Sequence, residues 1–230
     1  MQTYENYSIK ESHCDFFGKL KLKQIFLMMQ DAGFKDLQSN ANNNNTSLGN
    51  DLAFLIRRAI VNVINAPKAY DEVNIGTSQV AHEGLTYTRD FVFECNNEVC
   101  ITATTQWFLC KISDKTIVRP TIDTIAYSQD AVGLTIGNKP VIDIEFAKEY
   151  NVVKAGYSLM DTNMHVNNSE YVAWACDAPF AFEFLEKGSY LFDIYFRKEV
   201  LMDSVVSLRQ QGNSACGVTK DEINFIANFT

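Results

Sequence analysis

The sequence predicts an α+β fold built twice over, each unit a long central helix wrapped by a curved antiparallel sheet. Three observations carry that expectation. Leu22, Ile25, Phe26, Met29, Gly33 and Leu37 recur at helical spacing and are followed by a series of β-rich segments. The same order of strand, turn, apolar helix and strands restarts after residue 140. Sliding the chain on itself by 146 residues aligns Tyr4 with Tyr150, Ser12 with Ser158, Asp15 with Asp161, Asp31-Ala32 with Asp177-Ala178 and Phe34 with Phe180. These six identities in 31 positions gain meaning from the element order that they share.

Each element follows from its local pattern. Tyr4 to Ser12 alternates polar and apolar residues and reads as a strand. Gly18 precedes the first helix, and residues 38–51, with six Asn and one Gly, read as a loop or a frayed helical turn. Leu52–Ile64, closed by Pro67, then Val73–Val80, Thr86–Cys95 and Val99–Ile112 read as strands, the last two joined by a tight turn at Asn96-Asn97. Residues 113–140 contain Pro120, Gly133, Gly137 and Pro140 and read as the linker. Beyond it the pattern predicts a strand near Asn151–Leu159, a helix near Asn167–Leu185, and strands at Tyr190–Arg197, Ser204–Gln211 and Thr219–Ala227. The expected units are residues 1–132 and 133–230.

Composition narrows the function. The 230 residues carry 20 Lys plus Arg against 28 Asp plus Glu, a net charge of −8. Residues 1–132 hold 12 basic and 15 acidic side chains, and residues 133–230 hold 8 and 13. Neither half has the basic field that nucleic-acid phosphates need. The longest apolar run is six residues, Tyr171–Cys176, against about 20 for a membrane span. Met1 to Asn6 has no basic or apolar leader character, so the expected location is the cytoplasm. The six cysteines form no C-x-x-C pair and read as reduced core fillers, although a hairpin could bring Cys95 near Cys100. No cofactor or metal is implied.

The segment that carries chemistry is Asp161-Thr162-Asn163-Met164-His165-Val166-Asn167-Asn168-Ser169-Glu170-Tyr171-Val172-Ala173-Trp174. In an extended stretch, Asp161, Asn163 and His165 would point the same way. Asn167 or Asn168 suits a helix N-cap, beyond which backbone N–H groups could receive developing negative charge. A carboxylate, an amide and an imidazole converging there fit an acyl-transfer site. Singly, each has an ordinary structural role as a turn or cap residue.

The pattern Asp-x-Asn-x-His-Val-Asn-Asn-x-x-Tyr-x-x-Trp resembles the signature of the plant and bacterial acyl-acyl-carrier-protein (acyl-ACP) thioesterases, and Asp15-Phe16-Phe17-Gly18-Lys19-Leu20 is similar to their first-domain helix entry. The resemblance implies two tandem hotdog domains and hydrolysis of fatty acyl-ACP to free fatty acid and carrier. It also implies an acid in the strand after the helix. Here that segment is Phe196-Arg197-Lys198-Glu199-Val200, so Glu199 matches the acid, while Val200 replaces the cysteine of plant members. The expected catalytic set is Asp161, Asn163, His165 and Glu199. Glu199 would serve as general base or nucleophile, Asn163 would orient water or the carboxylate, His165 would polarise the substrate or protonate the thiolate, and Asp161 would hold the loop and the imidazole.

At the 146-residue offset, Phe17 and Lys19 replace Asn163 and His165, so the first unit reads as catalytically silent. The resemblance implies that it forms the acyl pocket, with Ile25, Met28, Met29 and Phe34 as candidate lining or as plain core. The implied partner is an acyl carrier protein. Lys19, Lys21, Lys23, Arg57-Arg58 and Arg197-Lys198 are candidates to dock it or are solvated faces. No nucleic acid or membrane is expected, and the chain would be a monomer or homodimer. An acyl-CoA thioesterase of the same fold and a non-catalytic acyl-thioester binder remain alternatives.

Overall fold

Ten strands form one antiparallel sheet in a computed structural model that describes residues 3–44, 51–114, 116–119 and 133–230. The first half contributes β1 (Thr3–Ser8), α1 (Leu22–Asn44), β2 (Leu52–Val63), β3 (Glu72–Glu83), β4 (Thr86–Cys95) and β5 (Glu98–Lys111). The second contributes β6 (Lys148–Lys154), α2 (Asn168–Cys176), α3 (Ala181–Lys187), β7 (Tyr190–Phe196), β8 (Val205–Gln211), β9 (Ser214–Thr219) and β10 (Glu222–Phe229). The spatial order is β1-β3-β4-β5-β2-β7-β10-β9-β8-β6, so the halves meet where β2 pairs with β7. That pairing runs from Arg58 opposite Tyr195 to Val63 opposite Tyr190.

The sheet curls around the helices because its inner positions are apolar. Ile75, Phe91, Phe93, Ile101 and Ala103 from the first half and Phe192, Ile194, Phe225 and Phe229 from the second are all buried in one cluster. Ile25, Phe26, Met29 and Ala32 make the buried stripe of α1, and Phe26 meets the β7 ring of Phe192 edge-on at 6.0 Å. Non-directional burial of this kind supplies most of the folding drive. A buried ion pair adds direction to it: Arg89 Nη1 on β4 donates to Asp36 Oδ2 on α1 at 2.8 Å.

Three local expectations changed, and the open choice between loop and frayed helix after residue 37 resolved toward helix. Residues 38–44 continue α1 to Asn44, because propagating an existing helix costs little even through weak helix formers; residues 45–50 lie outside the described residues. The predicted single helix near Asn167–Leu185 is two helices. Pro179 lacks an N–H and disfavours helical backbone at Ala178, so α2 ends at Cys176 with Asp177 as its C-cap, and α3 restarts after Phe180, closing on Gly188 at φ +69°. The predicted strand Thr219–Ala227 contains a hairpin turn at Lys220-Asp221, both at positive φ, which divides β9 from β10. The predicted strand Asn151–Leu159 ends at Lys154, and Tyr157–Leu159 form a 3-10 turn. The turn expected at Asn96-Asn97 is present, with φ of 54° and 65°, and the cysteines on either side of it are free.

Residues 133–147 cross the outer face of the sheet. Arg58, 3% exposed, fastens them by donating to the carbonyls of Gly137 and Asn138 at 2.9 and 2.8 Å while gripping Asp193 of β7 at 2.9 and 2.6 Å. Ile142 and Ile144 then pack on Cys216, Val218 and Ile226. Among the described residues no helix is long and apolar enough to cross a membrane.

Candidate active site

Residues 160–166 form a tight loop at the foot of α2. Met160 and Val166 pair as an isolated antiparallel bridge. The Asp161 carboxylate organises what lies between: Oδ1 accepts the N–H groups of Asn163 at 2.8 Å and His165 at 3.2 Å. In return Asp161 N–H donates to the His165 carbonyl at 2.7 Å, and Met164 turns the chain at φ +63°. The stretch is therefore a closed turn, and the extended alternation expected of Asp161, Asn163 and His165 does not hold. Asp161 faces the loop backbone, Asn163 is exposed on a groove against α1, and His165 reaches toward Glu199.

Two clamps bring Glu199 to the imidazole. Val166 N–H donates to the Val200 carbonyl at 2.9 Å, and the Tyr171 hydroxyl, on the first turn of α2, accepts the Val200 N–H at 2.8 Å. His165 and Leu201 form a further bridge. These contacts place His165 Nε2 2.6 Å from Glu199 Oε2, with the two side chains 25% and 38% exposed. A carboxylate of this kind can only accept, so the imidazole donates through Nε2. Burial pushes the Tyr171 hydroxyl far above the usual phenol range and keeps it a neutral clamp. Tyr171 was not among the residues expected from sequence to matter to the site. Its signal was its fixed place in the Asn-Asn-x-x-Tyr-x-x-Trp pattern, three residues beyond the first helical residue, but nothing there linked it to residue 200. Val200 itself is 1% exposed and belongs to the core, so a side chain at that position does not reach the site opening.

The helix N-terminus supplies fewer free donors than its sequence suggested. Asn167 caps α2, its Oδ1 accepting the Ser169 N–H at 2.9 Å. Val166 N–H is taken by Val200, Asn167 N–H by the Leu159 carbonyl at 2.9 Å, and Glu170 N–H by the Asn167 carbonyl at 2.9 Å. Only the Asn168 N–H lacks a partner among the described residues in this run.

Two spaces flank that N-terminus. Outside lies an open groove of about 990 Å³ between α1 and the loop, lined by Gln30, Phe34, Gln38, Ser158, Asn163 and Asn167 among others. Inside, between α1 and the sheet, is a cavity of about 30 Å³ lined by Phe26, Met29, Ile56, Phe91, Thr105, Trp107, Asn168 and Ser169. Gln30 borders both. Of the four pocket candidates, Met29 lines the cavity, Phe34 lines the groove at 64% exposure, and Ile25 and Met28 lie in the core.

The basic residues separate by environment. Arg58 is buried on Asp193, Lys23 pairs with Glu170 at 2.6 Å, Lys19 donates to the Glu186 carbonyl, and Lys198 pairs with Glu222. Arg57, at a β-bulge, and Lys139 both lie against the Tyr195 ring, 4.4 and 4.8 Å from its centroid, and both donate to the Tyr195 hydroxyl. Arg57 also donates to the Phe196 carbonyl at 3.2 Å, three residues before Glu199. Neither Arg57 nor Lys139 has a carboxylate partner among the described residues, and Arg197 beside Glu199 is exposed.

Comparison with known proteins agrees with this architecture. The acyl-ACP thioesterase N-terminal domain family matches residues 1–127, and the acyl-ACP thioesterase C-terminal domain family matches residues 142–226. No curated protein matches. Among solved structures, an acyl-ACP thioesterase from Bacteroides thetaiotaomicron superimposes with a TM-score of 0.83 at 14% identity, covering 99% of this chain and 97% of the other. The 12:0-ACP thioesterase from Umbellularia californica superimposes at 0.77 with 20% identity, covering 98% and 95%. At these identities the structures establish the shared tandem hotdog fold, and the family matches establish the kinship. This chain belongs to the acyl-ACP thioesterase family of thioester hydrolases.

Proposed function

We propose that the chain hydrolyses fatty acyl-ACP to free fatty acid and carrier protein, with His165 and Glu199 as the catalytic pair at the foot of α2. The 2.6 Å contact between Glu199 and His165, which sits on the loop that leads into α2, is the observation that carries this reading. The pantetheine arm approaches along the groove, where Gln30, Gln38, Asn163 and Asn167 offer amide partners to its own amides. The acyl chain enters the first half past Phe26, Met29 and Trp107. Since 30 Å³ holds only a small group, those side chains must repack, which unbranched Met29 does readily.

Glu199 accepts a proton from water as its oxygen bonds to the thioester carbon. The carbonyl electrons move to oxygen and are stabilised at the α2 N-terminus. On collapse the C–S bond breaks, and the thiolate leaves with a proton delivered from the pair, His165 orienting the carboxylate and sharing its charge. Asn163 meets the substrate from the groove side, and Asp161 is a positioning residue that acts through the loop backbone. The acidic carrier docks on Arg57, Lys139 and Arg197, the cations left without carboxylates beside the site. Six free thiols fit a reducing cytoplasm.

Steady-state hydrolysis across a ladder of acyl-ACP substrates, with matched acyl-CoA, tests this reading. We expect acyl-ACP to be preferred, the preference to shrink as ionic strength rises, and Glu199→Gln and His165→Ala to lower kcat by about 1,000-fold and 100-fold. Near-normal rates in both variants would refute the catalytic pair.

A further inference from the structure

The cavity at the foot of α2 contains a polar group that neither the fold nor the catalytic pair uses. Ser169 is 2% exposed, its hydroxyl has no hydrogen-bond partner among the described residues, and its side chain lines the same cavity as Asn168. The hydroxyl is not needed to start the helix, because the Asn167 side chain already caps the Ser169 N–H. Burying a hydroxyl without a partner costs about 1–3 kcal/mol, so the Ser169 hydroxyl is a donor ready for a polar atom that enters the cavity.

We propose that the Ser169 hydroxyl and the Asn168 N–H together form the oxyanion hole. Both are donors, their residues line one cavity, and both sit on the first turn of a nine-residue helix, where the aligned peptide dipoles favour negative charge. The cavity has room for a carbonyl oxygen. The assignment rests on His165 and Glu199 being the catalytic pair, which would deliver water to the carbonyl carbon from the loop side. As the new C–O bond forms and the proton passes to Glu199, the carbonyl π electrons settle on oxygen and both hydrogen bonds strengthen. When that electron pair reforms the double bond, the C–S bond breaks and the donors return to weaker contacts with the acid product. A group that binds more strongly as charge develops lowers the barrier without tightening ground-state binding. Ser169 is therefore a catalytic residue, and its effect belongs in kcat.

Three variants measured on one acyl-ACP substrate decide the matter. Ser169→Ala should lower kcat about 100-fold with KM within about twofold of wild type, the usual cost of losing one such donor. Ser169→Thr, which keeps the hydroxyl, should recover most of that loss. The melting temperature of Ser169→Ala should equal or exceed that of wild type, because the change removes an unpartnered polar group, and this separates lost chemistry from lost fold. Wild-type kcat in Ser169→Ala, or a change confined to KM, overturns the assignment. Glu199→Gln run alongside distinguishes the two claims. Its inactivity with a fully active Ser169→Ala removes the oxyanion role alone, whereas its full activity removes the catalytic pair and the assignment together.

Discussion

The loops Asp15–Leu20 and Asp161–Val166 are the same hydrogen-bonded object with different side chains on it. Asp15 Oδ1 accepts the N–H groups of Phe17 and Lys19 at 2.9 and 3.0 Å, as Asp161 Oδ1 accepts those of Asn163 and His165. Asp15 N–H reaches the Lys19 carbonyl at 2.8 Å, as Asp161 N–H reaches that of His165. Cys14 pairs with Leu20 as Met160 pairs with Val166, and Gly18 turns at φ +75° where Met164 turns at +63°. Leu20 N–H donates to Pro67 as Val166 N–H donates to Val200, which sets Ala66 where the second half has Glu199. The scaffold is thus complete in both halves, and only the second carries an imidazole and a carboxylate. In the first half, moreover, the end of α3 occupies the corresponding space: the Lys19 ammonium binds the Glu186 carbonyl, and Ala66 N–H binds that of Gly188 at 3.0 Å. A cation at the negative end of a helix is a stabilising arrangement. The loop is a device for presenting a side chain: in the first half it presents Lys19 to the end of α3, in the second His165 to Glu199.

The comparison can be broken in descending order of effect. Placing Phe17→Asn, Lys19→His and Ala66→Glu together in the Glu199→Gln background should restore none of the roughly 1,000-fold loss in kcat, because α3 closes the first-half site. Recovery of activity would mean that side-chain identity alone separates the halves. Asp161→Ala should lower kcat about 100-fold through a displaced His165, whereas Asp15→Ala should cost about 1–2 kcal/mol of stability, read as about 2–8 °C in Tm, with kcat within twofold. Equal effects on kcat would show that the first loop serves the reaction. The smallest difference concerns the turn itself. Gly18→Ala should destabilise by about 1 kcal/mol, while Met164→Gly should raise stability by no more than that, both by thermal melts, since only glycine adopts positive φ without strain.

How much of this was legible in the sequence depended on the range of the cause. The buried stripe of α1 and the hairpin at Asn96-Asn97 have local signals, and both elements are present. The Lys220-Asp221 turn carries no glycine or asparagine, so the predicted strand Thr219–Ala227 runs through it into β10, while β9, with Gly217 inside it and Gly212 just before it, went unpredicted. The 146-residue offset located the two loops because Asp15 and Asp161 do the same work in both. Alternation misread the second loop, since a carboxylate that gathers two N–H groups bends the chain back on itself. Glu199 was reached through the family resemblance, not through any pattern linking it to His165 across 34 residues. Free N–H groups at the start of this helix were expected from its cap, but which one stays free, and the orphaned Ser169 hydroxyl, had no sequence signal, because they depend on the neighbours brought to the cavity.

The β2–β7 seam has a consequence for inheritance. When two identical subunits associate, every substitution is written twice and each site must tolerate the needs of the other. Here six residue pairs from Arg58–Tyr195 to Val63–Tyr190 make the same kind of junction within one polypeptide, so each substitution is written once. Lys19 and Ala66 could therefore be traded for a structural plug without touching His165 and Glu199. Covalent joining frees the two halves from symmetry, and the different side chains on their two matching loops are what that freedom permits.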